Sequence, residues 1–293
     1  MGVSREWAFG MHFSNLVMIA IVCLASIVVF VVGRPILHAV LRARLRVTAD
    51  GTRPLDWRNR LMLRYQELDM DIWMFSRFKT RLDPMFPELS EFLKGKPDLQ
   101  VVLDLGCGYG FAGSYLLDCF PGLEIYAIEP NPARVCGAAI AFGDRGHVFE
   151  GAAPDFERSE LPDRFDAVFI LDVVHFLSDS ALDLTLQRVR SRLDEGKTLF
   201  LRAPMKPAGF GSFIFNMDRI SRIVTRSSAR FRTEEEIRGA MIRAGFTVTR
   251  SQMSGGNPEL YWFIATPSVA MKEGGPVRQP VATLVENDKR DQG

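Results

Sequence analysis

Residues 13–32 read FSNLVMIAIVCLASIVVFVV, twenty positions without a charged side chain. A helix of that length rises about 30 Å, the thickness of bilayer hydrocarbon, so the pattern predicts a transmembrane helix over 13–33 behind a short segment 1–12. A cleaved signal peptide is the rival reading. It fits less well, because Arg5 is offset by Glu6 and the run ends in Gly33-Arg34-Pro35 without a small-residue cleavage site. Arg34, Arg42, Arg44 and Arg46 follow at once, then Arg53, Arg58 and Arg60. Positive charge on one flank places that flank inside, so all that follows is expected on the cytoplasmic side of the inner membrane, held by a single pass. Arg42, Arg44 and Arg46 are expected near anionic headgroups.

Beyond the span the pattern changes twice. Residues 34–55 read as a basic connector with a turn at Ala49-Asp50-Gly51, and 56–80 as one helix with Leu61, Tyr65, Leu68, Ile72 and Phe75 on a single face. A short helix over 88–93 follows the break at Leu82-Asp83-Pro84. Segment 34–95 is thus a basic connector and a helical lid, with plain core packing as the equal alternative. From 99 onward apolar strands alternate with helices. Strands are predicted at 99–103, 124–128, 147–149, 167–171 and 198–201, and helices at 112–119, 132–141 and 181–193. That rhythm defines a doubly wound, Rossmann-like α/β domain over 96–267. A capping-box pattern, Thr233-Glu234-Glu235-Glu236, starts a helix over 233–244. Strands 247–253 and 260–266 then complete a seven-stranded sheet. Only six residues separate them, too few for a crossover, so they pair as an antiparallel hairpin. The polar, Gly/Pro-interrupted stretch 268–293 is expected to be a disordered tail.

Composition changes little. Lys and Arg number 36 against 35 Asp and Glu, so no polyanion-binding charge is present. The basic residues gather beside the span without a stacking platform, which disfavours nucleic acid as a partner. Cys23, Cys107, Cys119 and Cys136 form no CxxC pair and no nearby His completes a ligand set, so neither a disulfide framework nor a metal site is expected.

The chemistry concentrates in three places. In VVLDLGCGYG, 101–110, an apolar strand ends in Asp104-Leu105 and then Gly106, Gly108 and Gly110 alternate before a helix. Glycines let a ligand approach the main chain, and the helix start offers free N–H donors. The third glycine of the dinucleotide fingerprint is missing, since Phe111 stands there, which argues against a nicotinamide-dependent oxidoreductase. Glu129 closes the second strand about twenty residues on, where a carboxylate can accept from both hydroxyls of a ribose. LDVVHFL, 171–177, puts Asp172 and His175 outside the carboxyl end of the next strand. His175 is either a general base or a packed wall residue.

With these runs in this order, the chain resembles the class I S-adenosylmethionine-dependent methyltransferases over residues 99–267. The resemblance implies S-adenosyl-L-methionine as cofactor. Gly106, Cys107, Gly108 and Gly110 would then line its methionine and sugar, and Asp104 would order the loop and the amino group. Glu129 with Pro130 would hold the ribose, and Asp172 with Val173 would sit near the methionine end. It departs from the family at Gly151-Ala152-Ala153-Pro154, where many members carry an acid for the adenine amine; backbone groups or Asp155 remain for that contact. The runs 81–87, 143–147 and 151–155 are also similar to bacterial methyltransferases associated with aryl-polyene or fatty-acid-like biosynthesis, implying an acyl or aryl acceptor.

The anchor and one further segment point to a hydrophobic acceptor. In 210–226, Phe213, Met217, Ile220 and Val224 share a helical face opposite Arg219, Arg222 and Arg226. Such a helix rests in a bilayer interface, roofs an apolar pocket, or packs as an ordinary cap. The function expected is a membrane-anchored methyltransferase acting on a hydrophobic or lipid-like small molecule. An oxidoreductase and a cofactor-binding scaffold without activity are the alternatives.

Overall fold

The computed structural model describes residues 33–49, 55–94, 96, 99–206 and 229–268. The expected span over 13–33 except Gly33, the turn at Asp50-Gly51, the amphipathic stretch 210–226 and nearly all of the expected tail fall outside these residues. Among the described residues, no helix is long and apolar enough to cross a membrane.

Four helices precede the sheet: α1 (Arg34–Ala49), α2 (Trp57–Arg64), α3 (Met70–Leu82) and α4 (Met85–Leu93). The alternating part runs β1 (Val101–Leu105), α5 (Phe111–Cys119), β2 (Glu124–Glu129), α6 (Pro132–Phe142), β3 (Gly146–Glu150), β4 (Phe165–Leu171), α7 (Asp179–Ser191) and β5 (Leu193–Pro204). It ends with α8 (Glu234–Arg243), β6 (Phe246–Ser254) and β7 (Asn257–Pro267). The seven strands lie in the order β3-β2-β1-β4-β5-β7-β6. The first five are parallel, and β7 enters antiparallel between β5 and β6. Chain order reverses between β1 and β4, so the crevice that open α/β sheets use for ligands lies beyond the carboxyl ends of these two strands.

Most sequence expectations hold in kind and shift in bounds. β1 starts two residues later than predicted, which brings Asp104 into the strand with four of five residues buried. The hairpin turns on Gly255 and Gly256 alone, both at positive φ (58° and 71°), so the strands run further than the six-residue loop implied. The capping box forms as read: Thr233 Oγ1 accepts from the Glu236 N–H, and Glu236 accepts in return from the Thr233 N–H.

Two expectations are corrected. The single helix over 56–80 is two, α2 and α3, broken at 65–69. At the break Tyr65 is fully buried, and its hydroxyl donates to the Tyr109 carbonyl (2.9 Å) and meets Ser114 Oγ (3.1 Å). Past it the buried face shifts to Trp73, Ser76 and Thr80, leaving Phe75 52% exposed. The basic connector is also helical through Ala49, and Arg42 turns inward, donating to the Leu68 carbonyl (2.7 Å) beside Trp73.

The N-terminal helices share one core with a face of the sheet. Leu61, Trp73, Phe86 and Leu89 bury with Val102, Ile125, Phe169 and Phe200. Arg64 pairs with Asp118 (2.7 Å) on α5, and Glu88 of α4 accepts from Trp262 Nε1 (2.6 Å) on β7. Segment 55–94 is a fixed layer of the domain that also walls the site.

Candidate active site

The site is made by backbone first. After β1 the chain passes through Gly106 (φ 81°) and Gly108 (φ 59°), with the Gly106 N–H donating to the Ile128 carbonyl (2.7 Å). A Cβ on Gly106 would lie 2.4 Å from Val173 Cγ2, whereas one on Gly108 would meet nothing within 4 Å. Gly106 therefore packs the loop against the turn after β4, and Gly108 borders open space. Gly110 (φ 75°) serves packing, since its Cβ would strike the Phe142 ring, and it lines neither cavity described next.

Two cavities of about 260 and 300 Å³ share Gly106, Gly108, Arg134 and Asp172 in their walls. The larger is bounded by Ile128, Glu129, Pro130, Val173 and the Gly151-Ala152-Ala153 stretch. Glu129 is 3% exposed, and its carboxylate accepts from the Gly108 N–H (3.0 Å) and the Asn131 N–H (3.1 Å). Those bonds fix the carboxylate on the cavity wall and leave lone pairs for a diol. Asp155 takes no part: its side chain is 82% exposed and pairs with Arg188 (2.7 Å). Of the two candidates the sequence left open there for the adenine contact, only the 151–153 stretch lines the cavity.

The smaller cavity is bounded by Asp104, Cys107, Tyr109, Phe111 and Leu171, and by Phe75, Lys79 and Met85 from the N-terminal layer. Burial, with the Glu129 charge second, pushes the Asp104 carboxyl up to about 7. Its Oδ2 has no hydrogen-bond partner among the described residues. An orphaned buried acid on a cavity wall is a ready counter-charge for an ammonium group. Lys79 on the same wall is already paired with Asp83 (2.8 Å). Burial pushes the Cys107 thiol well above its ordinary range, so it is a wall atom and no nucleophile.

Asp172 adopts φ 60°, a strained value for a side chain other than glycine. Arg202 of β5 holds it there, donating from Nε to Oδ1 (3.0 Å) and from Nη2 to Oδ2. The same guanidinium, 1% exposed, reaches Asp83 with Nη1 (2.6 Å) and Nη2 (2.9 Å). Burial would raise the Asp83 carboxyl, but Arg202 and then Lys79 outweigh it and hold it well below the carboxylate range. The acid between α3 and α4 is thereby locked to the acid on the cavity wall.

His175 sits on a short 3₁₀ helix, Val174–Phe176. Arg232 grips that turn from both ends, donating to the Val174 (2.8 Å) and Leu177 (2.7 Å) carbonyls, and the Arg230 N–H donates to the His175 carbonyl (2.7 Å). The imidazole stacks on Phe231 (5.9 Å, 7°) and lines neither cavity. Of the ten residues singled out in the sequence, eight line the cavities; Gly110 and His175 do not. Sequence reasoning missed Phe75, Lys79, Asp83, Arg134 and Arg202. Only Arg202 carried a signal, a lone charge in the apolar run LFLRAP.

The comparisons agree with this geometry. A family described as a methyltransferase domain matches residues 103–198. Over those residues, well under half of its length, the chain is similar to methyltransferase domains. Among curated proteins it is similar to acetylserotonin O-methyltransferase of Mus musculus, 31% identical over 159 residues, which make up 52% of this chain and 40% of that one. The chain thus spans well under half the length of that relative. In fold it resembles mitomycin 7-O-methyltransferase (TM-score 0.53, 18% identity, 70% of this chain and 60% of that one). It also resembles human N-acetylserotonin methyltransferase solved with its cofactor (TM-score 0.50, 17% identity, 73% and 57%). The residues present fit that cofactor, with a fixed carboxylate at Glu129, an orphaned one at Asp104 and an open approach at Gly108.

Proposed function

We propose that this chain transfers a methyl group from S-adenosylmethionine to an oxygen of a hydrophobic, acyl- or aryl-containing small molecule, from the cytoplasmic face of a membrane to which it is anchored. The pair of cavities meeting at Gly108 carries the reading: one is furnished for a sugar diol, the other for an ammonium group beside an apolar wall. When bound, the cofactor supplies a methyl on a positively charged sulfur, already activated for attack. The protein's task is then alignment and exclusion of water. Phe75, Met85, Phe111 and Leu171 give the smaller cavity an apolar wall that favours a greasy acceptor. A hydroxyl acceptor must also lose its proton, and His175 is the candidate for that role from the sequence. Its imidazole lies outside both cavities, next to Phe176 on the wall of the larger one, so the assignment rests on the variant below. The hydrophobic acceptor and the membrane location are supported by that wall and by the uncharged run 13–32.

Radiolabelled methyl transfer into membrane lipid against soluble extract tests the whole reading, with calorimetry for S-adenosylhomocysteine against NAD(H). Glu129→Ala is expected to weaken binding of S-adenosylhomocysteine about tenfold or more, as loss of a charge-assisted pair of hydrogen bonds would. His175→Ala is expected to leave binding unchanged and to lower turnover on the order of 10²-fold. Undiminished turnover in that variant removes the histidine from the chemistry. Heat with NAD(H) alone replaces the proposal with an oxidoreductase.

A further inference from the structure

We propose that the outer face of α3, bearing Phe75, Phe78 and Leu82, rests in the interface of an anionic bilayer, so that the acceptor enters the smaller cavity from lipid, past Phe75. This deepens the membrane-anchored reading above and rests on it.

The three side chains recur at i, i+3 and i+7, opposite the buried Trp73, Ser76 and Thr80. They are 52%, 57% and 76% exposed. Phe75 belongs to both surfaces, since it also lines the smaller cavity and meets the Phe111 ring at 5.6 Å. The apolar strip therefore begins at the cavity mouth and runs outward along one helix. A row of large exposed apolar side chains on the solvent side of a helix marks a contact surface.

The occupant is argued from where the chain leaves the described structure. The uncharged run ends at Val32, two residues before α1 begins at Arg34. α1 packs directly on α3, with His38 edge-on to Trp73 (4.9 Å) and Arg42 donating to the Leu68 carbonyl. Its first two turns expose Ile36, Leu37 and Val40. A span ending there sets α1 at the membrane surface and α3 one helix away. Charge agrees: besides the inward-turned Arg42, α1 holds Arg34, Arg44 and Arg46 and no acid, and besides Lys79, which pairs with Asp83, the second half of α3 holds Arg77 and Arg81 and no acid. Apolar side chains beside arginine and lysine on one layer are the composition of an interfacial helix on anionic lipid.

The test uses the full chain in nanodiscs of phosphatidylethanolamine and phosphatidylglycerol with a radiolabelled acyl chain. Phe78→benzoylphenylalanine and Leu82→benzoylphenylalanine are irradiated beside Ile242→benzoylphenylalanine, an equally exposed apolar site on α8 (58%). Lipid adducts at 78 and 82, with none above the unirradiated control at 242, are expected. Equal labelling at all three positions, or no lipid adduct at 78 and 82, overturns the proposal. Adducts at 78 and 82 to a second copy of the chain, or within the same chain, also overturn it and assign the face to protein contact. Calorimetry with S-adenosylhomocysteine on the same samples is read separately: absent heat sinks the methyltransferase reading and leaves the docking result standing.

Discussion

Asp104 shows how one buried carboxyl couples stability, ligand binding and pH. Its folded pKa, near 7, lies above the usual value of about 3.9, so the fold favours the neutral acid. That contribution to stability is full below about pH 4 and is lost as pH rises through about 7. Pairing with an ammonium group needs the ionised form, so binding runs the other way. Affinity for S-adenosylhomocysteine is expected to fall about tenfold from pH 8 to pH 6 in calorimetry, and Asp104→Asn to abolish that dependence while raising the melting temperature at pH 8. Gly106 makes a steric case. Gly106→Ala is expected to cost about 1–2 kcal/mol through its positive φ, and more through the clash with Val173. Val173→Ala in the same chain should recover only the second part in a denaturation series. Both residues were legible in the sequence because a glycine loop after an apolar strand has few other uses. Lys79 was not, since nothing local distinguishes a cavity-wall lysine from a solvated one.

At the scale of elements, the bonds that shape the site join segments far apart in the chain. Arg202 links β5 to Asp83, 119 residues away, and to Asp172, 30 away. Removing the arginine leaves two carboxylates without their partner, so Arg202→Met is expected to destabilise by about 3–5 kcal/mol in urea titration. Asp83→Asn, which leaves the Arg202–Asp172 pair, should cost less. The grip of Arg232 on the 174–176 turn places it as a positioning residue. Arg232→Met is expected to lower kcat while leaving KM for the cofactor near its wild-type value; a change in KM alone would assign the arginine to the cofactor wall. Strand and helix types were readable from periodicity, whereas the break inside 56–80 was not. An unbroken helical stripe carries no sign that Tyr65 is needed by Tyr109 and Ser114 across the domain.

The molecule as a whole joins a seven-stranded sheet to a helical layer that begins where the uncharged run ends. If that run spans the membrane in the proposed sense, a C-terminal alkaline phosphatase fusion is expected to be inactive and a fluorescent-protein fusion bright. The opposite pair would place the site outside the cell and end the proposed localisation.

By itself the sequence determined what depends on neighbours in the chain: the order of strands and helices, the glycine turn, the acid closing β2 and the cap of α8. Each rests on local sterics or on a hydrogen bond a few residues long. Only the tertiary structure decided which distant side chains complete the site. Phe75 and Lys79 share a cavity wall with the glycine loop, and Asp83 reaches Asp172 through Arg202, because the N-terminal layer packs on the sheet; such contacts leave no spacing to read. Burial likewise singled out Asp104, since the free energy of its charge depends on how much water the folded chain excludes.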